Sequence, residues 1–266
     1  MRSGKRTSVI KRLFVISLAA FAGFVAFQFV SPDVSVLKKS GPGRTAMMEY
    51  RMAEWKRQGK RYRIDQKWVP LGAVSPYLIK AVLIGEDDKF WQHEGFDYEA
   101  MQKALEKDIK AKRFKLGGST ISQQLVKNLY LSPSKNPVRK LREAIITWRL
   151  EKTLSKKRIL EIYLNVVEWG DRGVFGAEAA ARHYYGKSAS ALSAEEAARL
   201  ASVLPNPRKY NPLGDSRYVV FRSNLIYRIM VRRGIVVPEY EEMQGGDNGE
   251  GPPPPSSVID LQPSSQ

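Results

Sequence analysis

The chain has 266 residues, 44 lysines and arginines against 27 acids for a formal charge of +17, and no cysteine. That length allows one sizeable core or two small ones, and the charge favours anionic partners: nucleic acid, anionic lipid or a phosphorylated substrate. The composition excludes a disulfide framework, a thiol nucleophile and a cysteine-ligated zinc, and His93 and His183 are too few for a histidine-rich metal site. Residues 1–12 form a basic segment with Arg2, Lys5, Arg6, Lys11 and Arg12. Residues 13–30, LFVISLAAFAGFVAFQFV, carry no charge and precede Ser31-Pro32-Asp33. As a helix they span roughly 27 Å, enough for the hydrocarbon core of a bilayer. The basic flank places the N-terminus in the cytoplasm and the remainder beyond the membrane. A cleaved signal peptide is the rival reading, but the apolar run is long and no small-x-small site follows it, so a signal anchor is expected.

Residues 31–66, polar and basic, read as a stem joining the membrane to a folded domain. Ser75-Pro76 supplies an N-cap and a proline at the first helical position. Leu78, Ile79, Val82, Leu83 and Glu86 follow at helical spacing, so Glu86 continues the apolar stripe. The stretch 107–115 mixes cations with Ile109 and Phe114, and reads equally as a segment lying on lipid headgroups or as a solvated loop. Thr120 begins a helix to Leu131, with Gln123 completing a capping box. Pro137 opens a longer helix whose apolar face is expected to be Val138, Leu141, Ile145, Trp148 and Leu154. Ser155 caps the next. Helices are also predicted over 176–185 and over 193–204, the latter with a Ser193–Glu196 capping box, and a basic amphipathic one over 216–233. With no strand-like alternation and no internal repeat, the fold is expected to be mainly α. Residues 234–266 read as a low-complexity, disordered tail, rich in Gly, Pro, Ser and acids from Gly245.

Chemistry concentrates at residues 86–97, EDDKFWQHEGFD. A partly buried carboxyl has its pKa raised toward neutrality and so suits proton transfer. Glu86 is the candidate base, because it alone of the three acids at 86–88 sits on the apolar stripe; the neighbouring Asp87 and Asp88 are expected to raise it further by like charge. The bland alternative is a helix-end ion pair with Lys89 or Arg139. His93 reads as an ordering hydrogen-bonder rather than a second base. The turn Gly117-Gly118-Ser119-Thr120, with Gln123, Gln124, Lys127 and Asn128 on the helix behind it, offers amides, hydroxyls and a cation to a phosphate. The spacing is not that of a P-loop. Arg139 and Glu143, four apart on the next helix, would supply a fixed cation and a second carboxylate.

The segments EDDKFWQHEGFD, GGSTISQQLVKNLYLS, RKLREAIITWRLEKTLSKKRILEIYLN and GVFGAEAAARHYYGKSASALSAEEAARLASVLPNPRKYNP resemble, in order and spacing, the motifs of the peptidoglycan glycosyltransferases (glycosyltransferase family 51). The likeness covers residues 67–233 and lies nearest the monofunctional branch from Gram-negative bacteria. It implies a mainly α, lysozyme-like domain of two lobes around a cleft, behind an N-terminal transmembrane helix. The activity implied is polymerisation of lipid II into β-1,4 glycan, inverting at the donor anomeric carbon and releasing undecaprenyl pyrophosphate. Residue by residue, Glu86 matches the catalytic base and Glu143 a second, assisting glutamate. Ser119, Thr120, Gln123, Gln124, Lys127, Asn128, Arg139 and Lys140 match or flank the substrate-binding positions. No tightly bound cofactor is implied, although a divalent cation, Mg2+ or Mn2+, between Asp87 and the pyrophosphate could offset leaving-group charge. Leu116 departs from the polar or basic residue usual before Gly117-Gly118.

The expected partners are lipid II, the nascent glycan strand, membrane lipid and other cell-wall synthesis or division proteins, with no nucleic acid. The expected location is the inner membrane, single-pass, with the catalytic domain periplasmic. Ser132-Pro133-Ser134-Lys135 mimics a transpeptidase SxxK, but no KTG-like triplet follows it, so no second catalytic domain is expected. Two rival functions remain at this level: a lytic enzyme of the same lysozyme-like architecture, and a non-catalytic membrane-anchored scaffold.

Overall fold

The computed structural model describes residues 3–110, 118–133 and 137–236. Ten α-helices and one two-stranded sheet make up its regular structure. The first helix, α1 (Ser3–Gln28), contains an 18-residue apolar window, Lys11–Gln28, whose side chains pack against almost nothing. Leu13, Phe14, Val15 and Ile16 all stand in the open. A water-exposed helix of this composition would be costly, and a bilayer removes that cost.

The segment expected to be a stem is instead part of the folded domain. Leu37 is buried in the apolar core, and α2 (Ala46–Arg57) places Met48 and Trp55 inside. Thr45 caps α2 by accepting from the Met48 amide. The local sequence is polar enough to look like linker because only one side of α2 is apolar. The chain then forms β1 (Asp65–Gln66), which pairs in parallel with β2 (Val174–Phe175), Asp65 opposite Val174. Gly173, at φ +87, makes that approach possible: a Cβ there would lie 2.2 Å from the Arg63 carbonyl oxygen.

The helices of the folded domain fall into two packed groups. α3 (Pro76–Glu86) lies against α9 (Ala194–Val203) and α10 (Arg217–Arg232), while α5 (Ile121–Tyr130) lies against α2, α6 (Pro137–Thr153) and α7 (Lys156–Val166). The predicted caps form as drawn: Ser75 on α3, the Thr120–Gln123 box on α5, Ser155 on α7 and the Ser193–Glu196 box on α9. α8 (Ala177–Tyr185) fills the span between β2 and Gly186, whose αL conformation ends it. A helix α4 (Tyr98–Lys110) occupies residues for which no helix was predicted. The remainder of the 107–115 stretch, including Phe114, and Leu116 lie outside the described residues, as does the tail from residue 237 onward.

α6 corrects the predicted apolar face. Its buried side is Glu143, Ile146, Thr147 and Leu150; of the predicted face Val138, Leu141 and Trp148 are exposed, Ile145 is half-buried, and Leu154, just past the helix end, does reach the core. The exposed stripe lies beside the end of α1: Trp148 meets Phe29 edge-on at 6.1 Å, and Arg149 donates to the carbonyls of Gln28 and Val30. The helix therefore carries two apolar faces, one for the core and one toward α1, and periodicity alone does not rank them.

Candidate active site

Glu86 ends α3 at the floor of a cleft of about 640 Å3, bounded by α2, α5 and α6 on one side and by α10 and the 204–207 loop on the other. Its side chain is only 9% exposed. Three neighbours fix the carboxylate. Gln124 Nε2 donates to Oε2 at 2.9 Å, and Arg222 Nη2 donates to Oε1 at 3.1 Å and to the Gly85 carbonyl at 2.6 Å. Tyr163, fully buried on α7, donates its hydroxyl to Gln124 Oε1 at 3.0 Å, which leaves the amide nitrogen turned toward Glu86. Burial pushes the Tyr163 phenol well above its ordinary value, so it remains a donor. Gly85 allows the close crossing of α10, since a Cβ there would sit 3.3 Å from Ile226.

Burial raises the Glu86 pKa, and Gln124, Arg222 and Lys127 pull against that rise. The expected like-charge contribution of Asp87 and Asp88 finds no geometric basis. Asp87 directs its oxygens to His93 Nε2 at 2.9 and 3.1 Å and accepts from the Ile121 amide at 2.8 Å. Asp88 forms a bidentate pair with Arg233 at 2.5 and 2.8 Å. The rival ion pairs for Glu86 do not form either: Lys89 goes to Glu99, and Arg222 takes the place proposed for a cation.

His93 does order its loop. Nδ1 accepts from the Gly95 amide at 3.1 Å, which puts the proton on Nε2, facing Asp87. The Gly95 carbonyl in turn accepts from Thr120 Oγ1 at 2.7 Å. Asp87 is thus 7% exposed and committed to a brace between the acid-rich loop and the start of α5. Those contacts do not fit a metal ligand, and no group of three or more His, Asp or Glu side chains suited to a metal occurs among the described residues.

The anion-binding expectations divide. Ser119, Gln124, Lys127, Asn128 and Arg139 all line the cleft with Glu86. Thr120 and Gln123 do not: both are 2% exposed and spend their side chains on the capping box. The core claims Gln123, and Gln124 supplies the cleft contact instead. Lys140 stands at the surface, and its ammonium lies 2.5 Å from Glu143. Glu143 is 1% exposed and does not line the cleft. It lies under Lys140 and Arg139, the latter at 3.7 Å, and its charge also acts on Lys127. Its place is that of a buried counter-ion positioning the cleft's cations, rather than a group touching substrate. Burial lowers the Lys127 pKa, and the charges of Lys140 and Arg139 act the same way, whereas Glu143 and Glu86 oppose them.

Four cleft residues escaped sequence reasoning: Arg51, Glu168, Tyr218 and Arg222. Arg51 and Glu168 form a buried pair at 2.8 Å. For Arg222 a signal existed, because it interrupts the buried stripe Val219, Ser223, Ile226 and Met230 with a cation, the same anomaly that marks Glu86. A second cavity, lined by Phe24, Tyr130 and Val138, shares Leu131, Ser132 and Arg139 with the cleft and reaches the anchor helix.

A family profile described as "Transglycosylase" matches residues 53–231. A protein from Nitrosospira multiformis is 46% identical over 224 residues, covering 84% of this chain and 96% of its own. One from Dechloromonas aromatica is 56% identical over 170 residues, covering 64% of this chain and 73% of its own. One from Laribacter hongkongensis is 46% identical over 213 residues, covering 80% and 93%. Each carries the name biosynthetic peptidoglycan transglycosylase.

Proposed function

We propose, for a chain that belongs to the transglycosylase family, that it is a glycosyltransferase polymerising peptidoglycan glycan strands, with lipid II as donor and acceptor unit. The observation that carries the reading is one buried carboxylate sharing a cleft with fixed cations. Glu86, ionised and held by Gln124 and Arg222, takes the proton of the acceptor sugar 4-hydroxyl as that oxygen attacks the donor anomeric carbon. The new C1–O bond forms on the face opposite the pyrophosphate. The old C1–O bond breaks, and its electron pair leaves with undecaprenyl pyrophosphate, so an α-linked donor yields a β-1,4 product. Lys127 and Arg139 meet the charge that grows on the leaving oxygen, with Ser119 and Asn128 as hydrogen-bonding partners. Glu143 holds Arg139 in place.

The cavity from Leu131 past Val138 to Phe24 supports a lipid-linked donor, because it joins the pyrophosphate end of the cleft to the anchor and offers an apolar route for a polyprenyl chain. The anchor would be single-pass across the inner membrane, its basic N-terminal flank cytoplasmic and the cleft on the periplasmic side. Incubation with lipid II and, separately, with purified sacculi tests the function. Polymer from the first and no soluble muropeptide from the second is the expected outcome. Muropeptide release without polymer would identify a lytic enzyme instead.

A further inference from the structure

Outside the cleft, a cavity of about 340 Å3 opens between the 171–172 loop, the end of α8 and the 207–211 loop. It adjoins the active site, since Pro207 lines both, and Tyr210 on its wall stacks on the cleft residue Tyr218 at 4.2 Å and 14°. Glu54 ties the two walls together by pairing at 3.1 Å with Arg51 in the cleft and with Arg208 in the second cavity. The walls are held in place. The Tyr184 hydroxyl donates to the Trp169 carbonyl at 3.0 Å, and the amides of Lys209 and Tyr210 both donate to the Asn206 carbonyl at 3.1 Å.

The cavity's charge is unbalanced. Arg208 is satisfied by Glu54, but Arg172 and Lys209 have no carboxylate at ion-pair distance among the described residues. Lys209 Nζ lies 5.3 Å over the Tyr210 ring, and the one lining carboxylate, Asp171, pairs with neither cation. Two exposed cations without an ion-pair partner, in a cavity that adjoins the cleft at Pro207 and holds a single carboxylate, Asp171, leave it net positive and suited to an anion attached to the substrate of that cleft. Peptidoglycan sugars carry peptides that end in, and contain, carboxylates. We propose that this cavity binds carboxylates of the peptide borne by the glycan substrate, with Arg172 and Lys209 as the recognising groups. The proposal rests on the polymerase reading and gives that site a specificity pocket.

The test compares lipid II with the same molecule whose peptide carboxylates are amidated. For the wild-type protein, amidation is expected to raise KM roughly tenfold, the size of a lost charge-assisted hydrogen bond, with little change in kcat. In an Arg172→Glu, Lys209→Glu double variant the ratio of the two KM values should fall to about one or below. Should that variant fail to fold, Arg172→Ala and Lys209→Ala singly should each at least halve the ratio. Adding a preformed short polymer shows which peptide is read: a KM effect on the monomer assigns the acceptor's peptide, one on the polymer assigns the strand's, and either supports the proposal. Equal KM for both substrates in the wild type, or an unchanged ratio in the variants, would overturn it. A wild-type protein that polymerises neither substrate would sink the polymerase reading, and this one with it.

Discussion

Glu86 must be ionised to accept a proton, yet burial pushes its pKa upward. Arg222 and Gln124 oppose burial and keep the carboxylate available, so they tune the base without touching the reacting atoms. Removing Arg222 lets the Glu86 pKa rise further. Activity, which needs the deprotonated form, should then lose its acidic limb at higher pH. Arg222→Ala is therefore expected to move the acidic limb of kcat/KM to higher pH, and Arg222→Lys to restore part of that move. A pH profile that keeps its acidic limb while the rate falls would mean that Arg222 acts only on packing. Glu86 stood out in the sequence because a carboxylate on an apolar stripe is an anomaly, and the structure does bury it. Its holders stood out less: Tyr163 reads as an ordinary helix residue, Gln124 reads as a substrate ligand rather than a partner of Glu86, and the contact between α10 and α3 crosses 136 positions of chain.

At the scale of elements, local signals were the legible ones. Ser75, Thr120, Ser155 and Ser193 cap the helices predicted for them, because a cap is a hydrogen bond spanning three residues and is written in adjacent sequence. Selection between faces was not legible. The stripe Val138, Leu141 and Trp148 on α6 looks like core and stands exposed beside the anchor, while α2 looks like linker and carries Trp55 into the interior. What decides both is a distant partner: α1 for one, α5 for the other. If the 46–57 segment were a free stem, Trp55 would be dispensable. As part of the fold, Trp55→Ala should cost about 3–5 kcal/mol, read as a lowered denaturation midpoint of the detergent-solubilised protein. A change below about 0.5 kcal/mol, the scale of surface substitutions, would return the segment to linker.

The molecule as a whole joins an apolar N-terminal helix, a cationic cleft and a buried carboxylate, from α1 past Phe24 and Leu131 to Lys127 and Glu86. The cleft gathers part of the chain's positive charge, since Arg51, Lys127, Arg139 and Arg222 all line it. The resemblance in the sequence is to the family that the profile and the relatives show. The coordinates added that Asp87 braces a loop, Glu143 holds cations and Thr120 and Gln123 are structural. The most direct test is polymerisation of lipid II by Glu86→Gln, an isosteric change that keeps the hydrogen-bonding volume and removes the base. The expected result is a fall in kcat of at least about 10²-fold, with an unchanged melting temperature and retained binding of lipid II. Polymerisation within a few-fold of wild type would contradict the account and move the proton-accepting role away from Glu86.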